Sequence, residues 1–252
     1  MNKQYQRVLV TTPHPLLRLV CLGLVTFIFT LFSLELTRFG TLLAPLWFPT
    51  AIMMVAFYRH AAKMWPGIAL ACSFCNILAS WMLFSWGTTS LIYPVINVIE
   101  AVIGALLLRK LLPWYNPLQN LNDWIRLAIG SALVPPLMGG VLVYFLVPAP
   151  EPVRNFLVWV LSEAIGALAL VPLGLLFKPH YLLRHRDPRL LLETLTTMAV
   201  TLVLSWAAIA WLPWPFTCII VLLMWSAVRL PRMEAFMVFL VTVMVVSLMI
   251  AR

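Results

Sequence analysis

Two glutamates, Glu100 and Glu163, stand in the middle of apolar segments long enough to cross a bilayer. An acid at the centre of such a segment costs about 2.5–3.5 kcal/mol on insertion scales, so it is a strong indicator of function. Each glutamate lies about 10 residues from the start of its segment, roughly 15 Å along a helix axis. No lysine or arginine lies at mid-segment to neutralise them. The pair either provides interhelical hydrogen bonds or binds a ligand, a proton or a cation.

Polar and small residues at similar depth extend this candidate site. Asn97 precedes Glu100 by three residues, so both share one helix face, and Gly104 continues that face. Ser162 and Gly166 have the small-x-x-x-small spacing that lets another helix approach closely. We predict an intramembrane polar or ligand pocket formed by Asn76, Asn97, Glu100, Ser162 and Glu163.

Prolines punctuate the apolar segments, and each removes a backbone hydrogen-bond donor. Pro49, which follows Trp47, opens a short segment, Pro66-Gly67 opens the next, and Pro172 lies inside a later one. Broken helices at membrane depth are tolerated only where protein or a watery cavity surrounds them. We therefore interpret these positions, together with Gly104 and Gly166, as helix breaks and packing sites.

The composition requires that these residues be positioned by membrane helices. Of the 252 residues, 63% are hydrophobic and 10% are charged, and the mean hydropathy is +1.00. A soluble domain is about 45–50% apolar and about 25% charged, so a soluble or disordered chain is excluded. The apolar runs do not alternate with polar residues as in a β-barrel. The predicted fold class is therefore all-α, a polytopic membrane helix bundle.

Nine apolar segments are candidate crossings of the membrane. The second and eighth are short for a bilayer core of about 30 Å, so we expect them to be little tilted, flanked by snorkelling residues, or broken. The segments run over residues 19–37, 43–57, 65–84, 90–108, 124–147, 153–177, 190–211, 215–228 and 233–250.

The basic residues are concentrated in loops that are predicted to lie on one side of the membrane. Fourteen of the 17 lysines and arginines fall in the N-terminal stretch and in alternate loops, and three, including Arg252, fall on the other side. The positive-inside rule then predicts a cytoplasmic N-terminus, and nine crossings place Arg252 outside. This pattern also accounts for the net charge of +9 without nucleic-acid binding, since no basic face with interleaved aromatics lies outside the loops.

The sequence gives little support for a metal or cofactor site. Cys72 and Cys75 form a C-x-x-C pair inside an apolar segment, which we interpret as two small residues on one helix face. A metal site would need further ligands nearby, and all four histidines lie in loops or near the N-terminus. We expect no metal, no cofactor and no catalytic residue.

Four ordered motifs resemble the MASE type-one domain, a membrane-associated sensor domain of bacteria. The resemblance covers nearly the whole chain. The motifs are Leu46-Trp47-Phe48-Pro49-Thr50; Trp65-Pro66-Gly67-Ile68; Asn97-Val98-Ile99-Glu100-Ala101 with Gly104 and Arg109-Lys110; and Ser162-Glu163-Ala164-Ile165-Gly166 with Pro172.

The resemblance implies a sensory input domain in the bacterial inner membrane, upstream of a cytoplasmic cyclase, phosphodiesterase or kinase module. It favours control of cyclic di-GMP synthesis by a fused or docked enzyme, in response to an unidentified small ligand, and leaves homodimerisation open. The 252 residues contain no PAS, GGDEF or EAL sequence. We therefore expect one transmembrane sensor domain over residues 1–252, the N-terminal part of a longer signalling protein and itself not an enzyme.

Two other functions remain as alternatives. A small transporter or channel would suit the mid-membrane acids and the broken helices, as well as a weak likeness between the proline-rich starts of the second and eighth segments. A membrane-embedded enzyme would need a nucleophile–base pair or a metal cluster, and no histidine lies at depth. A cytoplasmic signalling domain encoded next to this chain would distinguish the sensor from the transporter.

Overall fold

A computed structural model describes residues 15–39, 44–84, 87, 89–113, 118–177 and 188–251. Within these ranges every regular element is helical and there is no strand, which confirms the predicted all-helical membrane bundle. Lys3, Arg7, Arg252 and most of the basic loop at 178–189, on which the predicted orientation partly depends, lie outside the described residues.

The helices in chain order closely follow the nine predicted segments, one of which contains two α-helices joined by a π-helical turn. Short 3-10 turns at Leu36–Phe39 and Ala62–Met64 flank the second helix. The helices are α1 (Pro15–Glu35), α2 (Pro49–Arg59), α3 (Trp65–Leu83), α4 (Thr89–Leu111), α5 (Leu121–Leu127), α6 (Val134–Leu146), α7 (Pro152–Leu176), α8 (Pro188–Trp211), α9 (Pro215–Arg229) and α10 (Arg232–Ala251).

Prolines set where several helices begin. Pro49 and Pro215 are the first residues of α2 and α9, where the missing N–H has no helical partner to lose. Pro66 stands second in α3 for the same reason. These prolines therefore start helices, whereas Pro172 lies inside α7 and Pro94 inside α4.

A π-helical turn at Ala128–Leu133 separates α5 from α6, just before Pro135 and Pro136. Neither proline can donate to a carbonyl one turn back. The wider turn is a common adjustment of a helix at such a point. As a result, the chain stays helical from Leu121 to Leu146.

Seven helical stretches within the described residues are long and apolar enough to cross a membrane. The two others are α2, with 11 residues, and α9, with 15, which are the segments predicted to be short. The second segment was predicted to run from residue 43, but its helix begins only at Pro49 and residues 46–48 have no regular structure. Nearly all of α2 is buried, so protein rather than lipid surrounds this short helix.

The chain divides into two compact units at Val171 and Pro172. In the N-terminal unit, α1 packs along α3, while α4 packs against α2, α3 and α6. The α1–α3 interface is built from small residues: Thr26 donates to the Cys72 sulfur at 3.4 Å, and a methyl group on Gly23 would lie 3.0 Å from the sulfur of Cys75. The two cysteines therefore serve helix packing.

In the C-terminal unit, α8 packs against both α9 and α10, which also contact each other. Leu230, Ala235 and Val238 form a small apolar cluster, and Met198 of α8 packs against it.

Candidate functional site

The Glu163 carboxyl lies against the start of α2. Glu163 is 2% exposed, and its Oε1 accepts a hydrogen bond of 2.9 Å from Thr50 Oγ1. Thr50 is the second residue of α2, directly after Pro49. The first backbone N–H groups of a helix carry a partial positive charge, so this is a favourable place for a carboxyl group.

The segment before α2 crosses α7 at very close range. The backbone N–H of Trp47 donates to the Ser162 carbonyl at 3.3 Å. A methyl group on Gly166 would lie 2.7 Å from the carbonyl carbon of Trp47, so only glycine allows this approach. The Ser162 hydroxyl donates to the Trp159 carbonyl of its own helix at 3.0 Å. The Ser162 carbonyl and Gly166 therefore hold the backbone of Trp47 against α7.

The second acid has a different partner. Glu100 of α4 is 1% exposed, and its Oε2 accepts a hydrogen bond of 3.2 Å from Trp159 Nε1 of α7. The Trp159 ring stacks on Tyr93, with ring centroids 5.5 Å apart. The other carboxyl oxygen, Oε1, is buried without a partner.

Gly139 of α6 makes room for this hydrogen bond. A methyl group on Gly139 would touch the Glu100 carboxyl and lie 2.8 Å from Trp159 Nε1. Trp159 and Glu163 are four residues apart, so they share one face of α7. The two carboxyl groups are also close enough to interact electrostatically. The structure thus brings Glu100 and Glu163 into one buried polar cluster, together with Thr50 and Trp159.

The two asparagines are buried but not hydrogen-bonded to the acids. Asn97 is 0% exposed and Asn76 is 2% exposed. Both amide atoms of Asn97 and the Nδ2 of Asn76 have no partner. Asn97 follows the same face of α4 as Glu100, whereas Asn76 belongs to α3, which packs against α4. The glutamates therefore bond to Thr50 and Trp159, not to these two side chains.

Two of the remaining predicted positions are packing sites between helices. A methyl group on Gly104 would lie 2.5 Å from the sulfur of Met54, so α2 and α4 meet there at close range. Gly67 faces Leu19 of α1 at the ordinary distance of 3.4 Å. Pro172 lies nine residues after Glu163 in α7, at the first position of the C-terminal unit.

The C-terminal end of α2 is held by the guanidinium group of Arg109. Arg109 of α4 donates to the carbonyls of Phe57 at 2.5 Å and of Tyr58 at 3.1 Å, and also to that of His60. Its guanidinium lies over the Trp65 ring, 4.9 Å from the centroid. The Trp65 indole donates to Phe57 O at 3.0 Å. Arg109 thus satisfies carbonyl groups that the end of a helix leaves without partners.

The short helix α2 therefore has a carboxyl group at its first turn and a guanidinium at its last. The positive charge of Arg109 complements the C-terminal end of the helix dipole, while the Glu163 carboxyl accepts a hydrogen bond from Thr50 in the first turn. Glu163 lies on α7 and Arg109 on α4, so α2 connects two neighbouring helices through its ends. A change at Glu163 would act directly on the position of α2.

Sequence reasoning missed four contributors to this arrangement: Thr50, Arg109, Gly139 and Trp159. Trp159 could have been found because it stands four residues before Glu163, on the same helix face. Arg109 was noted as part of a family motif and counted among the basic loop residues, without a contact being assigned to it. Gly139 carries no local signal, because the side chains that fill its space come from α4 and α7.

The fold and the cluster define a class: a multi-pass membrane helix bundle with two acids buried side by side and no catalytic constellation among the site residues described. The MASE1 family model matches residues 16–252. The chain therefore belongs to the MASE1 family of membrane-associated sensor domains, as its motifs indicated.

One curated relative is the probable diguanylate cyclase DgcE of Escherichia coli (strain K12), which is 73% identical over 251 residues. The match covers 100% of this chain but 23% of the relative, so the chain spans about a quarter of that protein's length. No solved structure matches the chain.

Proposed function

We propose that this chain is the sensory input domain of a cyclic di-GMP signalling protein, and that it reads its signal at the Glu100–Glu163 cluster. The observation that carries this proposal is the burial of two neighbouring carboxyl groups within one unit, with no cation hydrogen-bonded to either among the described residues. Buried carboxyl groups without a cation are most stable as neutral acids, so their proton occupancy can change with a ligand or a cation.

The short helix α2 offers a route from the cluster to the cytoplasmic end of the unit. Glu163 bonds to Thr50 at one end of α2, and Arg109 holds the other end. A signal that weakens the Glu163–Thr50 hydrogen bond would free the first turn of α2 while its last turn stays anchored. An attached cyclase would respond to the resulting shift between two packings of the unit.

The test replaces the matching N-terminal part of E. coli DgcE with this chain and measures cyclic di-GMP in cells. Glu163→Gln and Glu100→Gln keep shape and hydrogen-bonding capacity but remove the ionisable proton. We expect each to change the cyclic di-GMP level by about fivefold or more, within the usual range of coupling between sites. The amount of protein in the membrane should not change.

Glu151→Gln is the matched control, because Glu151 is an exposed acid of the same unit, paired with Arg154 at 3.2 Å. It should signal like the unmodified chain. Normal signalling by both buried variants would show that the cluster is structural and would reject this role, whereas uptake of a solute by the chain alone would favour the transporter.

The proposed orientation places the N-terminus in the cytoplasm of a bacterial inner-membrane protein. It rests on the distribution of basic residues, 14 of 17 on one side. Reporter fusions after residues 62 and 118 should be cytoplasmic, and fusions after residues 150 and 213 should be periplasmic. A cytoplasmic reporter at residue 213 would show that a preceding segment does not cross.

A further inference from the structure

The helices α4 and α7 begin at the same end of the N-terminal unit, where a polar contact joins them. The Tyr93 hydroxyl of α4 is hydrogen-bonded to the Asn155 side chain of α7. Tyr93 is the fifth residue of α4, and Asn155 is the fourth residue of α7. Tyr93 is half-buried, so it lies between the surface and the interior. This end of the unit is called the Tyr93 end below.

Contacts along α7 connect the Tyr93 end to the buried acids. Asn155, Trp159 and Glu163 follow one another at intervals of four residues, so they share one face of the helix. From the first to the last of them the helix rises about 12 Å. The Trp159 ring stacks on Tyr93, and its Nε1 donates to Glu100 at 3.2 Å. Direct contacts therefore lead from the Tyr93 end to the cluster.

The facing side of α4 carries a matching row of polar groups. Tyr93, Asn97 and Glu100 are spaced by four and three residues and share one face. Asn97 is 0% exposed, and both of its amide atoms lack a hydrogen-bond partner, as does Oε1 of Glu100. Buried polar groups without a protein partner are normally satisfied by ordered water. Asn97 therefore marks a position for water between Tyr93 and Glu100.

The opposite side of the cluster is apolar on each of the three helices that carry its hydrogen bonds. Leu108 of α4 and Val171 of α7, which lie beyond the two acids, are both 0% exposed. A proton arriving from that side would have to pass a layer without polar side chains. The runs that contain only apolar residues are 101–108 in α4, 164–171 in α7 and 51–57 in α2.

We propose that the two acids exchange protons with the Tyr93 end alone, through water held by Asn155, Tyr93 and Asn97. Resting on the proposed sensory function, this inference also names the signal, which is the proton activity at the membrane face where α4 and α7 begin. In the proposed orientation that face is the periplasmic one. Ionisable groups buried in membrane helices typically mark such proton routes.

Few titratable groups face the acids among the described residues. Glu100 and Glu163 interact with each other, whereas α2 meets them with the uncharged Thr50 and α6 with a glycine. The two cysteines of α3 face α1 instead. At the start of α7, the exposed Glu151 and Arg154 form their own ion pair, at 3.2 Å. The protonation of the cluster therefore depends on the two acids and on the side from which protons reach them.

The test labels the whole chain in sealed membrane vesicles with dicyclohexylcarbodiimide, which reacts with protonated carboxyl groups in apolar surroundings to give a stable N-acylurea. Mass spectrometry of peptides measures the modified fractions of Glu100 and Glu163. A first series with equal pH on both faces finds the range in which labelling falls as pH rises. A second series holds the two faces one pH unit apart, in either direction. The reporter fused after residue 150 identifies the face of the Tyr93 end, and the exposed Glu151 should stay unlabelled.

Labelling under the gradient should equal that measured when both faces have the pH of the Tyr93 end, a difference of up to about tenfold between the two gradient directions. Tyr93→Phe keeps the ring on Trp159 but removes the hydroxyl. It should weaken this preference for one face and leave labelling at equal pH unchanged. Tyr144→Phe is the matched control, because Tyr144 of α6 is 42% exposed, and it should behave like the unmodified chain.

Labelling that follows the opposite face, that follows both faces equally, or that is absent at every pH would overturn the proposal. An unchanged preference in Tyr93→Phe would overturn the route through this residue. Labelling requires no attached cyclase, so its outcome is separate from that of the cyclic di-GMP measurement. If the acids follow the Tyr93 end but their Gln variants signal normally, the proton route stands and the sensory role is rejected.

Discussion

Replacing Gly166 by alanine tests the close crossing of α7 by the segment before α2. The new methyl group would lie 2.7 Å from the Trp47 carbonyl carbon, so one backbone must move. Overpacking of this kind costs about 1–3 kcal/mol, and loss of the Trp47–Ser162 hydrogen bond adds about 0.5–1.5 kcal/mol. Alanine regains about 1 kcal/mol of helix propensity. The net loss of stability is therefore about 0.5–3.5 kcal/mol, centred on about 2 kcal/mol.

Thermal unfolding of the purified protein measures this loss. A chain of this size loses about 2–4 °C in Tm per kcal/mol, so the central loss of about 2 kcal/mol for Gly166→Ala should lower Tm by about 4–8 °C. Gly67→Ala is the matched control, because its methyl group would meet only the Leu19 side chain, at the ordinary distance of 3.4 Å. Its Tm should be unchanged or slightly higher. If both variants unfold at the same temperature as the unmodified protein, the close backbone crossing at Gly166 does not exist.

Three further substitutions test the remaining contacts in the same assay. Arg109→Lys keeps the charge but loses the forked geometry that reaches several carbonyls; it should lower Tm by several degrees, and an unchanged Tm would contradict the capping of α2. Trp159→Phe removes the only hydrogen-bond donor seen at Glu100 among the described residues and should cost about 1–3 kcal/mol, whereas the exposed Trp206→Phe should cost little. Glu193→Gln, which breaks an exposed ion pair, should change stability by less than about 1 kcal/mol, and a larger loss would show that this pair is more than a surface contact.

The sequence predicted the two buried acids through the energetic cost of placing them in apolar segments. Glu100 and Glu163 were each located at mid-segment by counting along a helix, and that depth requires no knowledge of neighbours. The sequence could not identify their partners. Thr50 and Trp159 come from other parts of the chain, and only packing decides which donor faces which carboxyl group. The two asparagines looked equally suitable, yet they bond to neither acid.

Glu234 shows that position in the sequence also does not determine how deeply a side chain is buried. Glu234 stands at the start of its apolar segment, and a residue there is ordinarily expected to reach water, because sequence distance from the end is the usual guide to depth. In the structure its side chain is instead fully buried. The hydroxyl-bearing residues of α8 that are buried, Thr194, Thr197, Thr201 and Ser205, recur at helical spacing, but such a stripe can face lipid or protein, and only neighbouring helices determine which.

The amino-acid sequence by itself determined the class of molecule and the positions of its helices. Bilayer thickness and the need to satisfy every backbone group leave few choices for a chain this apolar, so hydropathy and proline positions were sufficient. Tertiary structure alone decided that α2 is enclosed by protein, with Glu163 at one end and Arg109 at the other. Those contacts join residues 113 and about 50 positions apart, and local sequence carries no information about pairs so distant.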